Sequence, residues 1–261
     1  MAEIISILNR KGGVGKTTTS INLGKALSLD GYKVLVIDND PQANLTEGLD
    51  IEIEYEDGKR ITPTIYDVYK SGLSMPIVEV DENFHAVPSS SDLDAIELEI
   101  NTDFNRNFKI AEALNPVSPL YDYIFIDCPP SLGVYTQNAL TASTKYIIPT
   151  KCSSKFAHSG ITEAKALIDN EVKRIINPRI EPLGIVLTFY DKRTRVDRAV
   201  EADLIESYAG EVFDTRIKQL TKIPEAEYVS LDIFEHASTS EAAEDYRSLA
   251  REVAQRIEQN G

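Results

Sequence analysis

Apolar residues fall in short dense runs separated by polar and glycine-containing stretches. Ile4, Ile5, Ile7 and Leu8 form the first run, which reads as a strand buried on both faces of a parallel sheet. Residues 17–29 then place Leu23, Ala26 and Leu27 on one helical face, with Gly31 as a stop signal. Residues 33–37 predict a second buried strand, so the chain opens with a βαβ unit and a right-handed crossover. Further strands are predicted at 77–80, 84–87, 123–127, 146–149, 180–189 and near 211–214. Helices are predicted at 62–71, 92–108, 162–176, 197–208 and 240–258. The last carries Ala242, Ala243, Tyr246, Leu249, Ala250, Val253 and Ile257 at helical spacing, as a core-packing helix does, with Ser238-x-x-Glu241 as its expected cap. Residues 47–60 hold six acids and few core formers and read as an exposed, mobile acidic loop. No repeat or linker divides the chain. The expectation is a single α/β domain over residues 1–261, a doubly wound, mostly parallel sheet flanked by helices.

Composition narrows the class. Hydrophobic residues make up 42% and charged residues 26% of 261, ordinary for a folded globular chain and unlike a disordered one. No apolar run approaches the length that spans a bilayer, and Arg10 and Lys11 follow the first apolar run instead of preceding it, unlike a secretory leader. Cys128 and Cys152 lie in neither CxxC nor zinc-ligand spacing, which predicts a protein of the reducing cytoplasm. The net charge of −15 opposes contact with nucleic acid or anionic lipid over the surface as a whole. Any such contact must rest on local basic clusters.

Candidate chemistry begins between the first strand and the first helix. Gly12-Gly13-Val14-Gly15-Lys16-Thr17-Thr18 is a phosphate-binding loop in the context that such a loop needs. Glycines let the backbone wrap an anion, and the N–H groups of the loop and helix start point at it. Lys16 is placed to reach the β and γ oxygens, and Thr17 to set its hydroxyl on Mg²⁺. Asp127, ending the run Tyr123–Ile126, fits the carboxylate that supports Mg²⁺ directly or through water. Asp38 and Asp40 end the second strand, where side chains point into the ligand crevice of a parallel sheet; the alternative reading, as turn residues, loses ground beside the phosphate loop.

Lys11-Gly-Gly-Val-Gly-Lys-Thr-Thr-Thr resembles the deviant Walker A box of the ParA/MinD ATPase superfamily, with its additional lysine at position 11. Asp38-Asn-Asp-Pro-Gln-Ala-Asn, Phe125-Ile-Asp-Cys-Pro-Pro-Ser-Leu-Gly, Val87-Pro-Ser-Ser-Ser-Asp-Leu, Thr188-Phe-Tyr-Asp-Lys-Arg-Thr and Pro224-Glu-Ala-Glu resemble later landmarks of that family, so the similarity covers nearly the whole chain. With three residues ahead of Ile4, it is similar to the short ParA type. The resemblance implies a P-loop fold and slow hydrolysis of ATP with Mg²⁺. It implies that Lys11 crosses a homodimer interface to the nucleotide of the other protomer, that Asp40 orients the attacking water, and that Asp38 helps to hold the metal site. Phe189 and Pro224 lie in segments that border the base in relatives. Hydrolysis would release the monomers. Arg10 stands where many relatives have Gln and Ala43 where many have Gly, neither expected to alter the chemistry. Lys151, just past a predicted strand, is either an additional phosphate or dimer contact or an exposed loop lysine. Cys128 raises the iron–sulfur cousins of the superfamily, but a buried structural thiol is the better reading.

Segment 192–198 holds Lys192, Arg193, Arg195 and Arg198 with one acid, and Lys218 and Lys222 follow in a stretch that in ParA proteins contributes to nonspecific DNA binding. A third group is Lys173, Arg174 and Arg179. A dimer doubles such patches, and screening hides acids farther off than ~10 Å. Against this stand Gln219, where many relatives place Arg, and the ordinary reading of a charge run as a solvated face. The resemblance implies a nucleoid-associated ATPase that positions a cargo, either a plasmid or chromosome or a protein organelle such as the carboxysome, under a cargo-bound partner or adaptor that stimulates hydrolysis. Two rivals remain. A MinD-like membrane ATPase needs a basic amphipathic C-terminal helix, whereas residues 251–261 have mixed charge and few bulky apolar side chains, so no membrane contact is expected. A P-loop metabolic ligase of the biotin or cobalamin type would not need Lys11.

Overall fold

The computed structural model describes residues 2–154 and 157–260. Ten strands and eleven α-helices alternate among them: β1 (Glu3–Ile7), α1 (Lys16–Leu29), β2 (Val34–Asp38), α2 (Asn44–Gly48), β3 (Tyr55–Glu56), β4 (Lys59–Arg60), α3 (Ile65–Ser71), β5 (Val78–Asp81), β6 (Phe84–Val87), α4 (Asp92–Thr102), α5 (Lys109–Leu114), β7 (Tyr123–Asp127), α6 (Val134–Ala142), β8 (Lys145–Lys151), α7 (Ala157–Leu167), β9 (Glu181–Tyr190), α8 (Arg195–Ser207), β10 (Val212–Lys218), α9 (Lys222–Tyr228), α10 (Ile233–Ala237) and α11 (Glu241–Asn260). Eight strands form one sheet in the order β10-β9-β8-β1-β7-β2-β6-β5, parallel except for the antiparallel pair β5–β6.

Period-two alternation explains why this sheet sits between two helical layers. Ile5, Ile7, Val34, Val36, Tyr123 and Phe125 face a core completed by Leu23 and Leu27 of α1 and Tyr246, Leu249 and Val253 of α11. Leu35, Ile37, Ile124 and Ile126 face the other core, with Val68, Leu93, Tyr135, Leu140, Ile161 and Leu204. Each fully buried side chain of this size contributes about 1.5–3 kcal/mol, which fixes the register strongly. That register aligns the carboxyl ends of β1, β7 and β2: Ile7 pairs with Asp127, and Asp127 with Asp38.

Several elements differ from the pattern-based expectation. The acidic stretch is built, not loose: α2 occupies its start, and Asp57-Gly58, both at positive φ, turn a two-stranded hairpin between β3 and β4. Arg60 ties that hairpin to Asp67 at 2.8 Å and to Asp92 at 2.9 Å. The helix expected over 92–108 stops at Thr102, because Asp103 accepts the Asn105 N–H and pairs with Lys109, closing a turn before α5. The helix expected from 162 starts at Ala157, and beyond Leu167 it widens into a π-helical stretch to Ile176. Ser240, not Ser238, caps α11, accepting the Ala243 N–H.

Candidate functional site

β1 delivers the chain into a turn that only glycine suits at two positions: Gly13 (φ 66°) and Gly15 (φ 81°) are left-handed. Gly15 is also the N-cap of α1, so no side chain covers the first N–H groups of the helix. Two contacts hold the loop. Thr188 donates its hydroxyl to the Val14 carbonyl at 2.9 Å. Buried Asn9 donates to the Pro149 carbonyl at 2.8 Å and accepts the Lys11 N–H at 3.0 Å. Asn9 carries no family-style motif, and its only signal is an amide at the mouth of a buried strand.

Lys16 is 7% exposed and, among the described residues, has no carboxylate within 4 Å. It lines a cavity of about 470 Å³ together with Gly12, Gly13, Thr17 and Asp40. Thr17 donates to Asp127 Oδ2 at 2.7 Å, and Ser20 lies 3.0 Å from Asp127 Oδ1. Asp38 is fully buried and accepts from both the N–H (2.8 Å) and the hydroxyl (2.7 Å) of Thr46 and from the Asp40 N–H (3.2 Å). Asp40 accepts the Gln42 N–H at 3.0 Å. Burial, then the neighbouring Asp38 charge, pushes the Asp127 carboxyl up to about 7. Burial pushes Asp38 up to about 6 against the Thr46 bonds, and burial also raises Asp40 against the Gln42 N–H and Lys16.

This donor set fits magnesium. It offers a hydroxyl and hard carboxylate oxygens around a site whose two buried acids favour a cation between them. Among the described residues no group of three or more His, Cys, Asp and Glu is arranged to hold a metal ion by itself. Cys128 next to Asp127 and Cys152 are both buried; burial holds Cys128 well above the ordinary thiol range and pushes Cys152 to about 12, against thiolate ligation of a cluster.

Thr46, outside every motif, and Ser89, inside the Val87–Leu93 landmark but given no role there, support the candidate site. Ser89 donates its hydroxyl to the Asp40 carbonyl (2.8 Å) and its N–H to Thr46 Oγ1 (2.8 Å), clamping the 38–46 turn. Ala43 in that turn has φ 54°, a left-handed conformation that glycine adopts freely and that costs roughly 1–2 kcal/mol for alanine.

Phe189 and Pro224 are brought together in a second cavity of about 400 Å³, with Gly15, Thr18, Thr221 and Tyr246. Phe189 has φ 51°, and its ring lies 3.6 Å from where a Gly15 Cβ would stand. Lys151 is half-buried and lines neither cavity; its ammonium sits 4.8 Å over the Phe189 ring. Lys11 is half-buried, its Cγ 3.3 Å from where a Cβ on Gly160 of α7 would stand.

The basic candidates divide into two sets. Arg193 is chelated by Asp191, whose carboxyl it holds down at about 2. Lys218 pairs with Asp245 (2.5 Å) and Glu241 (3.1 Å), and Lys222 with Glu225 (2.6 Å). Lys192, Arg195 and Arg198 are exposed and, among the described residues, have no carboxylate within 4 Å. No helix among the described residues is long and apolar enough to cross a membrane.

Residues 2–181 match the family described as AAA domain. The chain is 40% identical over 264 residues to an uncharacterized protein of Mycobacterium tuberculosis, covering 98% of this chain and 80% of that one. It is 36% identical over 261 residues to the chromosome partitioning protein ParA of Caulobacter vibrioides, covering 97% and 94%. Among solved structures it resembles the cobyrinic acid a,c-diamide synthase of Mycobacterium smegmatis with bound ADP and magnesium, with TM-score 0.85, 30% identity and coverage of 100% and 97%.

Proposed function

Because the chain belongs to the ParA family of deviant Walker A ATPases, we propose that it is a partition-type ATPase whose ATP-bound dimer holds DNA without sequence preference and positions a cargo. The observation that carries this reading is that Lys16, Thr17 and Asp40 line one cavity at the head of α1, with Thr17 bonded to Asp127 and Asp127 in register with Asp38.

The chain's own groups divide the work. The uncapped start of α1 and the Gly12–Gly15 backbone hold the phosphate chain. Lys16 brings a desolvated positive charge to the β/γ bridge, and Thr17 and Asp127 form one wall of the metal site. Magnesium, when bound, neutralises phosphate charge and the Asp38–Asp127 pair. Asp40, in the same cavity as Lys16, orients the water that attacks the γ-phosphorus. Lys11 reaches from each protomer to the nucleotide of the other, so that two triphosphates join the dimer and hydrolysis parts it. Lys192, Arg195 and Arg198, doubled in the dimer, form the DNA-facing set. The stimulating partner is bound to the cargo, a plasmid or chromosome, or in the alternative a protein organelle.

The reading is tested by light scattering of the chain with Mg²⁺ and a non-cleavable ATP analogue, with and without DNA. A shift from monomer to dimer, followed by DNA retention, is expected; saturated pockets on monomers would overturn the switch. The likeness to the cobyrinic acid a,c-diamide synthase favours a second reading, a ligase acting on a carboxylic acid. Under that reading hydrolysis would rise with a corrinoid acid and not with DNA.

A further inference from the structure

The two cavities at the head of α1 share a wall made of Gly15, Thr18, Ile223 and Glu227. A hydrogen bond crosses it: Thr18 donates its hydroxyl to Glu227 Oε1 at 2.5 Å, joining the P-loop helix to α9 over 209 residues of sequence. Glu227 is exposed and, among the described residues, has no cation within 4 Å. Its neighbour Glu225 is already committed to Lys222 at 2.6 Å and to His236 at 3.4 Å. Glu227 is therefore the carboxylate that α9 directs at the loop.

A nucleotide with its phosphates on Gly12–Thr17 and its base beside Phe189 and Pro224 must cross this wall. The part that crosses is the sugar, because the sugar is the covalent link between phosphate and base. An ionised carboxylate only accepts hydrogen bonds. Beside a phosphate chain it is repelled, whereas beside a sugar it finds hydroxyl donors, and a vicinal pair of hydroxyls matches its two oxygens. We propose that Glu227 reads the ribose. With nucleotide bound, its carboxylate accepts from the 2′ and 3′ hydroxyls in place of Thr18, and the Thr18 hydroxyl turns to the phosphate chain. This inference rests on the nucleotide reading above and adds a preference for ribonucleotides over deoxyribonucleotides. The sequence reading includes Glu227 in the Pro224-Glu-Ala-Glu landmark but gives it no role, because its partner Thr18 is 209 residues away.

The test is calorimetric titration of the full chain with Mg²⁺ and ATP, 2′-deoxy-ATP or 3′-deoxy-ATP, for the wild type, Glu227→Ala, Glu227→Gln and Lys16→Ala. The wild type is expected to bind ATP roughly tenfold more tightly than either deoxy form, the worth of a charge-assisted hydrogen bond. Glu227→Ala should bring all three within about twofold, by weakening ATP while the deoxy forms hold or tighten. Glu227→Gln, which keeps one acceptor and the side-chain shape, should fall between. Equal binding of the three nucleotides by the wild type, or an undiminished preference in both Glu227 variants, overturns the inference and leaves the nucleotide site standing. Wild-type affinity for ATP in Lys16→Ala, or no ATP binding by the wild type, overturns the P-loop reading and this inference with it.

Discussion

Asp38 stands directly across from Asp127, the last residues of β2 and β7 facing each other in parallel register. Two buried acids at adjacent strand ends repel each other when both are charged, and a cation between them would remove that repulsion. Asp127 is raised from 3.8 to about 7 and Asp38 to about 6, burial being the first cause in each. A carboxyl raised in the fold binds its proton more tightly there than in the unfolded chain. The folded state is therefore favoured at low pH, and that benefit is lost as pH climbs from 3.8 through about 7. Asp127→Asn removes the charge that costs stability above this window. The nucleotide-free variant should melt higher than the wild type at pH 8, by a few degrees for on the order of 1–3 kcal/mol, with the gap narrowing at pH 5. Added Mg²⁺ and ATP should raise the wild-type melting temperature and leave the variant almost unmoved. Thermal unfolding at the two pH values checks both halves. A variant that melts lower at pH 8 would mean that the Thr17 and Ser20 bonds to Asp127 outweigh its burial.

Thr46 links three parts of the site through one hydroxyl: it donates to Asp38 and accepts from the Ser89 N–H, while Ser89 holds the Asp40 carbonyl. Thr46→Val keeps the shape and deletes the hydroxyl, leaving a buried N–H and a carboxylate oxygen short of partners. The expected cost is about 2–4 kcal/mol in denaturant unfolding. Because Asp38 and Asp40 lose their positioning while the loop at Gly12–Lys16 does not, kcat should fall more than KM rises, and Thr46→Ser should restore both. A turnover number unchanged in Thr46→Val would remove Thr46 from the positioning of Asp40.

The large β and α elements were legible because their signal is periodic and local. Buried strands such as Tyr123–Asp127 and the amphipathic α11 announce themselves by spacing, and the P-loop by glycine, lysine and threonine in register. The pieces that escaped are short or depend on distant partners. α9 and α10 have seven and five residues; α9 packs on α10, and α10 on α1 and α11, so their own pattern says little. The Asp57-Gly58 hairpin did carry a local signal, overshadowed by the surrounding acids. Ser89 and Thr46 are 43 residues apart, and no local spacing reveals that they share a bond. Arg193, Lys218 and Lys222 look like the basic patch until the fold shows which acids face them.

That division predicts unequal roles on DNA. Arg193, Lys218 and Lys222 must each leave a carboxylate before meeting a phosphate, whereas Lys192, Arg195 and Arg198 need not. Replacing the second set by alanine should weaken DNA binding by the ATP-bound protein much more than replacing the first. Every cation removed from a DNA phosphate should flatten the slope of log K against log salt by about 0.9. Fluorescence anisotropy on a short duplex at several salt concentrations reads both quantities, with ATP affinity as the control. Equal effects of the two sets would mean that the ion pairs are too weak to matter, as exposed pairs often are.

Gly160 offers a test of the wall behind the loop. Within a helix, Gly→Ala ordinarily stabilises by about 1 kcal/mol. Here a Cβ would stand 2.7 Å from Asn9 Oδ1 and 3.3 Å from Lys11 Cγ. Asn9 has no room to yield, since it is buried and pinned to Pro149 and to the Lys11 N–H. Overpacking at a site of this kind costs about 1–3 kcal/mol, so the sign should reverse and Gly160→Ala should be destabilised. The displaced Asn9 acts on the Lys11 backbone, and the added methyl pushes on the Lys11 side chain. ATP binding at Gly12–Thr17 should change less than the proposed ATP-dependent dimerisation, in which Lys11 is proposed to reach the other protomer. Denaturant unfolding, nucleotide titration and light scattering separate the three effects. A Gly160→Ala protein more stable than the wild type, with its dimerisation intact, would show that Asn9 is free to move and that α7 does not brace Lys11.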